Sequence, residues 1–204
     1  MPILPPDQPL AARPRRVLVA GTSGSGKTTL AARVSVVLGV PHVEIDALFH
    51  GPGWTPLETF PAEVERFSSG PAWVTEWQYD AVRDLLAARA DLLVWLDLPR
   101  RTVMRQVTSR TVRRRLRRER LWNGNLEQPL WTVLTDRDHI VRWAWSTHHQ
   151  SAVRVPRLLQ DRPDLPVVRL RTRDEARRWV GGPLREAARG GRDLPSEPPP
   201  QPGP

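Results

Sequence analysis

The sequence predicts an α/β protein whose parallel sheet is covered by helices on both faces. Three observations carry this. Short apolar runs of strand length alternate with segments of helical periodicity along most of the 204 residues. One such run, Val17 to Ala20, leads through a glycine-rich stretch straight into a helical pattern. A later run, Leu92 to Leu96, is apolar without alternation, as suits a strand buried on both faces.

The elements follow in chain order. After Val17 to Ala20, the stretch Gly21-x-x-x-x-Gly26-Lys27-Thr28 fits the phosphate-loop pattern letter for letter. Gly21, Gly24 and Gly26 let the backbone turn so that successive N–H groups face a polyphosphate, with Thr22, Ser23, Ser25 and Thr29 completing the cradle. Lys27 reaches the outer phosphates, and Thr28 offers a hydroxyl to magnesium. Leu30, Ala31, Val34 and Leu38 then mark a helix.

Gly39 and Pro41 break that helix, and His42 to Asp46 alternates as a second strand ending in its acid. A loop through Trp54 and a modest helix around Pro61 to Ser68 follow, with Val64 and Phe67 as its apolar pair. Trp73 to Glu76 reads as strand three. Val82, Leu85, Leu86 and Arg89 mark a helix, Leu92 to Leu96 strand four, and Pro99 opens a long arginine-rich helix. Trp122 to Asn125 is a turn, and Asp138 to Val155 a helix with Ile140, Val141, Ala144, Trp145 and His148 on one face. Val167 to Leu170 is the last strand, and Thr172-x-x-Glu175 a capping box for a final helix.

These elements make one domain over residues 15–189. Residues 1–14 and 190–204 are rich in proline and are expected to be disordered tails. Cysteine is absent, which excludes disulfides and thiolate metal sites. No apolar run approaches a membrane span and no signal-peptide core is present, so a cytoplasmic protein is expected.

Charge is concentrated. The net charge of +9 is held by residues 100–120, where ten arginines face the single acid Glu119; elsewhere 21 bases meet 21 acids. The chain has 30 arginines and one lysine, and that lysine is Lys27. Arginine's planar fork does not replace a slender amine in a phosphate loop, so the survival of lysine at this one position favours a chemical role.

In open parallel sheets, ligands gather at the carboxyl ends of the strands. The glycine loop, Asp46, Glu76 and Asp97 all fall at or just past such ends. Asp46 is a candidate to orient or deprotonate an acceptor hydroxyl, against a cap or turn role. Glu76 is a candidate metal-side acid, against a plain surface acid. Asp97 reads equally as a metal-side acid and as a cap of the arginine helix.

With these residues in place, the chain resembles the adenylate-kinase-like branch of P-loop kinases, and more narrowly the bacterial topology modulation protein family. The matching pieces are Gly21 to Thr29, His42 to Leu48, Gly53-Trp54, Trp73 to Tyr79, Val94 to Pro99, Arg105 to Arg114, Leu121 to Asn125 with Glu127, and Arg142 to Trp145. The resemblance implies the P-loop NTP hydrolase fold, with five parallel strands in the order 2-3-1-4-5. It also implies an acceptor segment after strand two and an arginine lid over about 100–127, with Arg105, Arg110 and Arg114 clamping the transferring phosphate. ATP and Mg2+ are the implied ligands, and a nucleotide or nucleoside is the implied acceptor. One departure marks this chain. Where the family has Asp-Gly-Asn-Tyr, it has Glu76-Trp77-Gln78-Tyr79, with an indole in a glycine's space.

Three functions are therefore expected, in descending order. The first is a kinase moving the γ-phosphoryl of Mg-ATP to a small acceptor. The second is a nucleotide-dependent DNA- or RNA-binding protein gripping phosphates with residues 100–120. The third is an ATP binder in which Trp77 has displaced the acceptor. Trp54, Trp122 and Trp145 could stack a base, although tryptophans among apolar neighbours more often pack in a core.

Overall fold

The structure is a computed structural model that describes residues 3–117 and 144–190. Five parallel strands form one sheet in the order β2-β3-β1-β4-β5, the order that the resemblance implies. They are β1 (Arg16–Gly21), β2 (His42–Val43), β3 (Trp73–Glu76), β4 (Leu92–Leu96) and β5 (Val167–Leu170). The helices that accompany them include α1 (Lys27–Leu38), α2 (Ile45–Phe49), α3 (Phe60–Ser68), α4 (Asp80–Arg89), α5 (Arg100–Arg117), α6 (Gln150–Asp161), α7 (Arg173–Gly181) and α8 (Pro183–Gly190).

Side chains that alternate along each strand build two cores. Leu18, Ala20, Leu93, Trp95 and Val167 face one side, where Ile45, Phe60, Val64, Leu86 and Val155 cover them. Val17, Val19, Val94, Val168 and Leu170 face the other, under Leu30, Val34 and Leu38 of α1, Trp179 of α7 and Leu184 of α8. β4 is buried at all five positions because both layers need it. The four apolar positions expected of α1 are the four it buries.

Three expectations change. Strand two stops at Val43: Glu44 caps a short helix, so Asp46 sits in the first turn of α2 and not at a strand end. The helix expected over Asp138 to Val155 is interrupted by a turn at Thr147 to His149, and α6 runs on to Asp161 with Pro156 inside it. Part of the supposed N-terminal tail is docked. Leu4 is buried, its N–H donates to Val167 O at 2.7 Å, and its carbonyl accepts from Arg169 N–H at 3.2 Å. The Trp122 to Asn125 turn, the distal part of the lid and residues 191–204 lie outside the described residues.

Thr172 caps α7, with Glu175 N–H donating to its Oγ1 at 3.0 Å, while Glu175 Oε2 accepts from Arg171 N–H at 2.7 Å, one residue before the N–H that a capping box uses. No helix among the described residues is long and apolar enough to cross a membrane.

Candidate functional site

The site begins where β1 ends. Gly21, Gly24 and Gly26 all have positive φ, and Gly26 caps α1 in the left-handed conformation. At Gly26 a Cβ would meet nothing within 4 Å, so the demand for glycine there is purely conformational. At Gly24 a Cβ would lie 2.7 Å from Val107 Cβ, so α5 rests directly on the loop. Thr22 Oγ1 donates to His148 O at 2.9 Å, which brings the turn before α6 onto the loop from another side. Ser25 N–H closes a tight turn to Thr22 O at 3.0 Å. The hydroxyl of Ser25 is buried and has no hydrogen-bond partner among the described residues.

Helix geometry leaves the first N–H groups of α1 without intrahelical partners, and the aligned peptide dipoles add positive potential at the same end. Lys27 stands in this turn, with Thr28 and Thr29 after it. The residue as a whole is half-buried, but its ammonium lies among protein atoms and donates to Thr22 O at 3.3 Å. Burial pulls its pKa down; the charges of Asp46 and Glu76 oppose that pull, and Arg110 adds to it. Residues 27, 46, 76 and 110, from four separate elements, therefore share one electrostatic environment.

Glu76 ends β3 beside Val19 of β1 and is 2% exposed. Its Oε1 lies 3.3 Å from His42 Nε2, and its Oε2 accepts from Ile45 N–H at 3.2 Å. Burial opposes its charge, but the hydrogen bonds from His42 and Ile45, with the attraction of His42, outweigh burial and hold the carboxyl below its ordinary value. The bond from Ile45 also anchors the first turn of α2, and so positions Asp46, the next residue.

Asp46 Oδ1 accepts from Gln78 Nε2 and from Tyr79 OH, the latter at 2.5 Å. Tyr79 stacks on Phe49 with ring centroids 4.0 Å apart, and its hydroxyl lies 3.2 Å from His50 Nε2. Its backbone has φ +63° and ψ 111°, a region that costs a non-glycine residue on the order of 1–3 kcal/mol. Burial and then the Asp46 charge push the phenol's pKa far up, so it remains a donor. Gln78 and Tyr79 stand in the strand-three pattern and His42 in the strand-two piece, but nothing in the sequence marks what these side chains or His50 do.

The remaining expected residues separate. Arg110 and Arg114 share a stripe of α5 with Val103, Val107 and Thr111, which faces the protein. Arg105 lies on the opposite side and is exposed, as are Arg101 and Arg113. Asp97 bonds neither to α5 nor to the loop: Arg169 Nε donates to it at 2.9 Å and Arg169 Nη2 at 2.5 Å, joining β4 to β5. Trp77 packs inward. It is 7% exposed in the core under α4, and its Nε1 donates to Arg83 O at 3.1 Å. Trp145 is largely exposed beneath the guanidinium of Arg100, 4.7 Å from its ring centroid.

The donor set suits a polyphosphate: a glycine cradle, a helix N-terminus, an enclosed ammonium and an inward arginine. No group of three or more metal-ligating side chains occurs among the described residues. Thr28, at the start of α1, and Glu76, at the end of β3, are oxygen donors of the kind magnesium uses beside phosphates and water.

No protein-family model matches the chain, and no curated protein is similar to it in sequence. Among solved structures it is similar to a gluconokinase from Sinorhizobium meliloti 1021, at 19% identity over 87% of this chain and 96% of that one, with a TM-score of 0.49. A shikimate kinase from Bacteroides thetaiotaomicron is 15% identical over 82% and 95% of the two chains, with a TM-score of 0.44. Shikimate kinase from Acinetobacter baumannii in complex with shikimate is 15% identical over 86% and 89%, with a TM-score of 0.46.

Proposed function

We propose that the chain is a P-loop phosphotransferase that moves the γ-phosphoryl of ATP to a hydroxyl on a small acceptor, of nucleotide or nucleoside type. The observation that carries this reading is the convergence of Lys27, Asp46, Glu76 and Arg110 beside the glycine loop. A plain glycine turn capping a helix gives no reason to enclose an ammonium and surround it with two acids and an arginine.

The geometry supports one role for each residue. The loop N–H groups and Lys27 bind the outer phosphates, and the incoming polyphosphate supplies the counter-charge that burial withholds from the lysine. Thr28 and Glu76 would hold magnesium, which when bound neutralises charge on the phosphate oxygens. Asp46 takes the acceptor's proton as the new phosphorus–oxygen bond forms and the bond to the departing ADP breaks. Arg110 and Arg114, on the inward stripe of α5, meet the charge that develops on the transferred group. The burial of Trp77 supports transfer over a merely ATP-binding role, since the indole leaves the acceptor side clear.

The test is γ-labelled ATP offered with nucleosides, nucleotides and sugar-like acceptors, read by product mass, for the wild type and Lys27→Ala. Labelled product from the wild type and none from a folded Lys27→Ala is the expected result. Equal turnover by the two removes the reading.

A second reading has its own observation: Arg101, Arg105 and Arg113 form an exposed face with no ion pair among the described residues. It predicts binding to duplex DNA that weakens with a log–log salt slope of roughly −0.9 per phosphate contact. A flat salt profile dismisses it.

A further inference from the structure

Asp46 is held asymmetrically. Two donors from consecutive residues, Gln78 Nε2 and Tyr79 OH, meet on the one oxygen Oδ1. No hydrogen bond reaches Oδ2 from the described residues. In extended chain, consecutive side chains point to opposite faces, so two neighbours do not ordinarily reach a single atom. The backbone past β3 is bent to allow it. Gln78 N–H donates back to Glu76 O at 3.2 Å in a three-residue turn, and Tyr79 then takes φ +63°.

The ring of Tyr79 is gripped by Phe49, stacked at 4.0 Å and 23°, and by Phe60, edge-on at 5.3 Å and 71°. Packing of that kind needs no hydroxyl, and a phenylalanine would supply it. The hydroxyl adds direction. Its single proton goes to Asp46, and its oxygen lies 3.2 Å from His50 Nε2. A relay of His50, Tyr79 and Asp46 results. Strain of this kind, retained beside a carboxylate, points to function.

We infer that Tyr79 and Gln78 are positioning residues that saturate Oδ1 of Asp46 and so leave Oδ2 as the one oxygen able to accept the acceptor's proton. The inference rests on the phosphotransferase reading above and assigns two side chains to its acceptor side. Neither residue touches the reacting atoms; both act through Asp46.

Tyr79 is the only tyrosine in the chain, so ultraviolet difference absorbance of tyrosinate follows this one phenol. Asp46, His50 and Glu76 are the charged or titratable groups around it. In the full-length wild type the phenol is expected to resist ionisation while the fold persists, and in Asp46→Asn to ionise at distinctly lower pH. An unchanged titration in Asp46→Asn overturns the contact.

Turnover is measured in parallel with Mg-ATP and water, the smallest hydroxyl acceptor. Tyr79→Phe and Gln78→Leu, each checked for a native melting transition, are expected to lower kcat about tenfold while KM for Mg-ATP stays within about twofold. If both variants keep the wild-type kcat, or if the loss falls on KM, the positioning role is wrong. A wild type that turns over no ATP with water or with any acceptor in the panel overturns the phosphotransferase reading and this role with it. An active wild type with unaffected variants overturns the role alone.

Discussion

Val107 stands against Gly24 so closely that a Cβ on the glycine would lie 2.7 Å from the valine's own Cβ. The arginine helix is therefore seated on the phosphate loop through backbone-proximal atoms, with no flexible tip to move aside. Arg110 and Arg114 follow Val107 at three and seven residues, on the same stripe.

Gly24→Ala is expected to combine this clash with a positive φ of +79° that alanine disfavours. The loss should be about 2–3 kcal/mol, seen as a fall in Tm of roughly 5–10 °C in thermal melts. Because the contact is with Cβ, adding Val107→Ala should not restore stability.

Lys27 is a stabilising mutation waiting to be made. Its folded-state pKa is depressed, so below its ordinary value of 10.5 the unfolded chain binds more protons and burial of the ammonium costs stability. Wild-type stability without nucleotide should therefore rise as pH climbs toward that value. Lys27→Met should flatten the rise and melt about 2–4 °C higher at neutral pH, while losing ATP binding. Calorimetry with and without ATP checks both parts.

Glu76 has the opposite sign. Its carboxyl is held below its ordinary value of 4.5, so the stability it contributes is present above that pH and is lost as pH falls through the folded-state value. Glu76→Gln should show a shallower loss of stability on acidification below about pH 5. Denaturant midpoints measured from pH 6 to pH 3 report the difference in slope.

The two faces of α5 make a fourth test. Arg110→Ala should lower kcat by about 10²-fold, as removal of a charge-stabilising group typically does. Arg105→Ala, on the exposed side, should leave kcat within about twofold while reducing any affinity for polyanions. Steady-state kinetics of the two variants side by side decide the assignment.

The sequence marks the strands well where glycine and proline punctuate apolar runs. Trp73–Glu76, Leu92–Leu96 and Val167–Leu170 fall where they are expected. It misplaces the end of strand two because Ile45–Phe49 is a single short helical turn, with no second turn to reveal the change of period. On the site, the loop is legible because its pattern is local and its glycines are obligatory. Arg110 could have been separated from Arg105 by the stripe of Val103, Val107 and Thr111, but six arginines in fifteen residues hide a sparse apolar repeat. Gln78 and Tyr79 are visible only as part of a pattern, since their meeting on one carboxylate oxygen depends on a positive φ at a tyrosine, which composition does not announce.

Leu4 completes the molecule in a way that bears on handling it. β5 is the last strand in the sheet, and its outer N–H and C=O groups would otherwise offer a template to another chain. By bridging to Val168, Leu4 occupies that rim. Removing the residues before Arg13 should therefore leave the fold intact yet make the protein self-associate with rising concentration, through the uncovered flank of Val167 to Leu170.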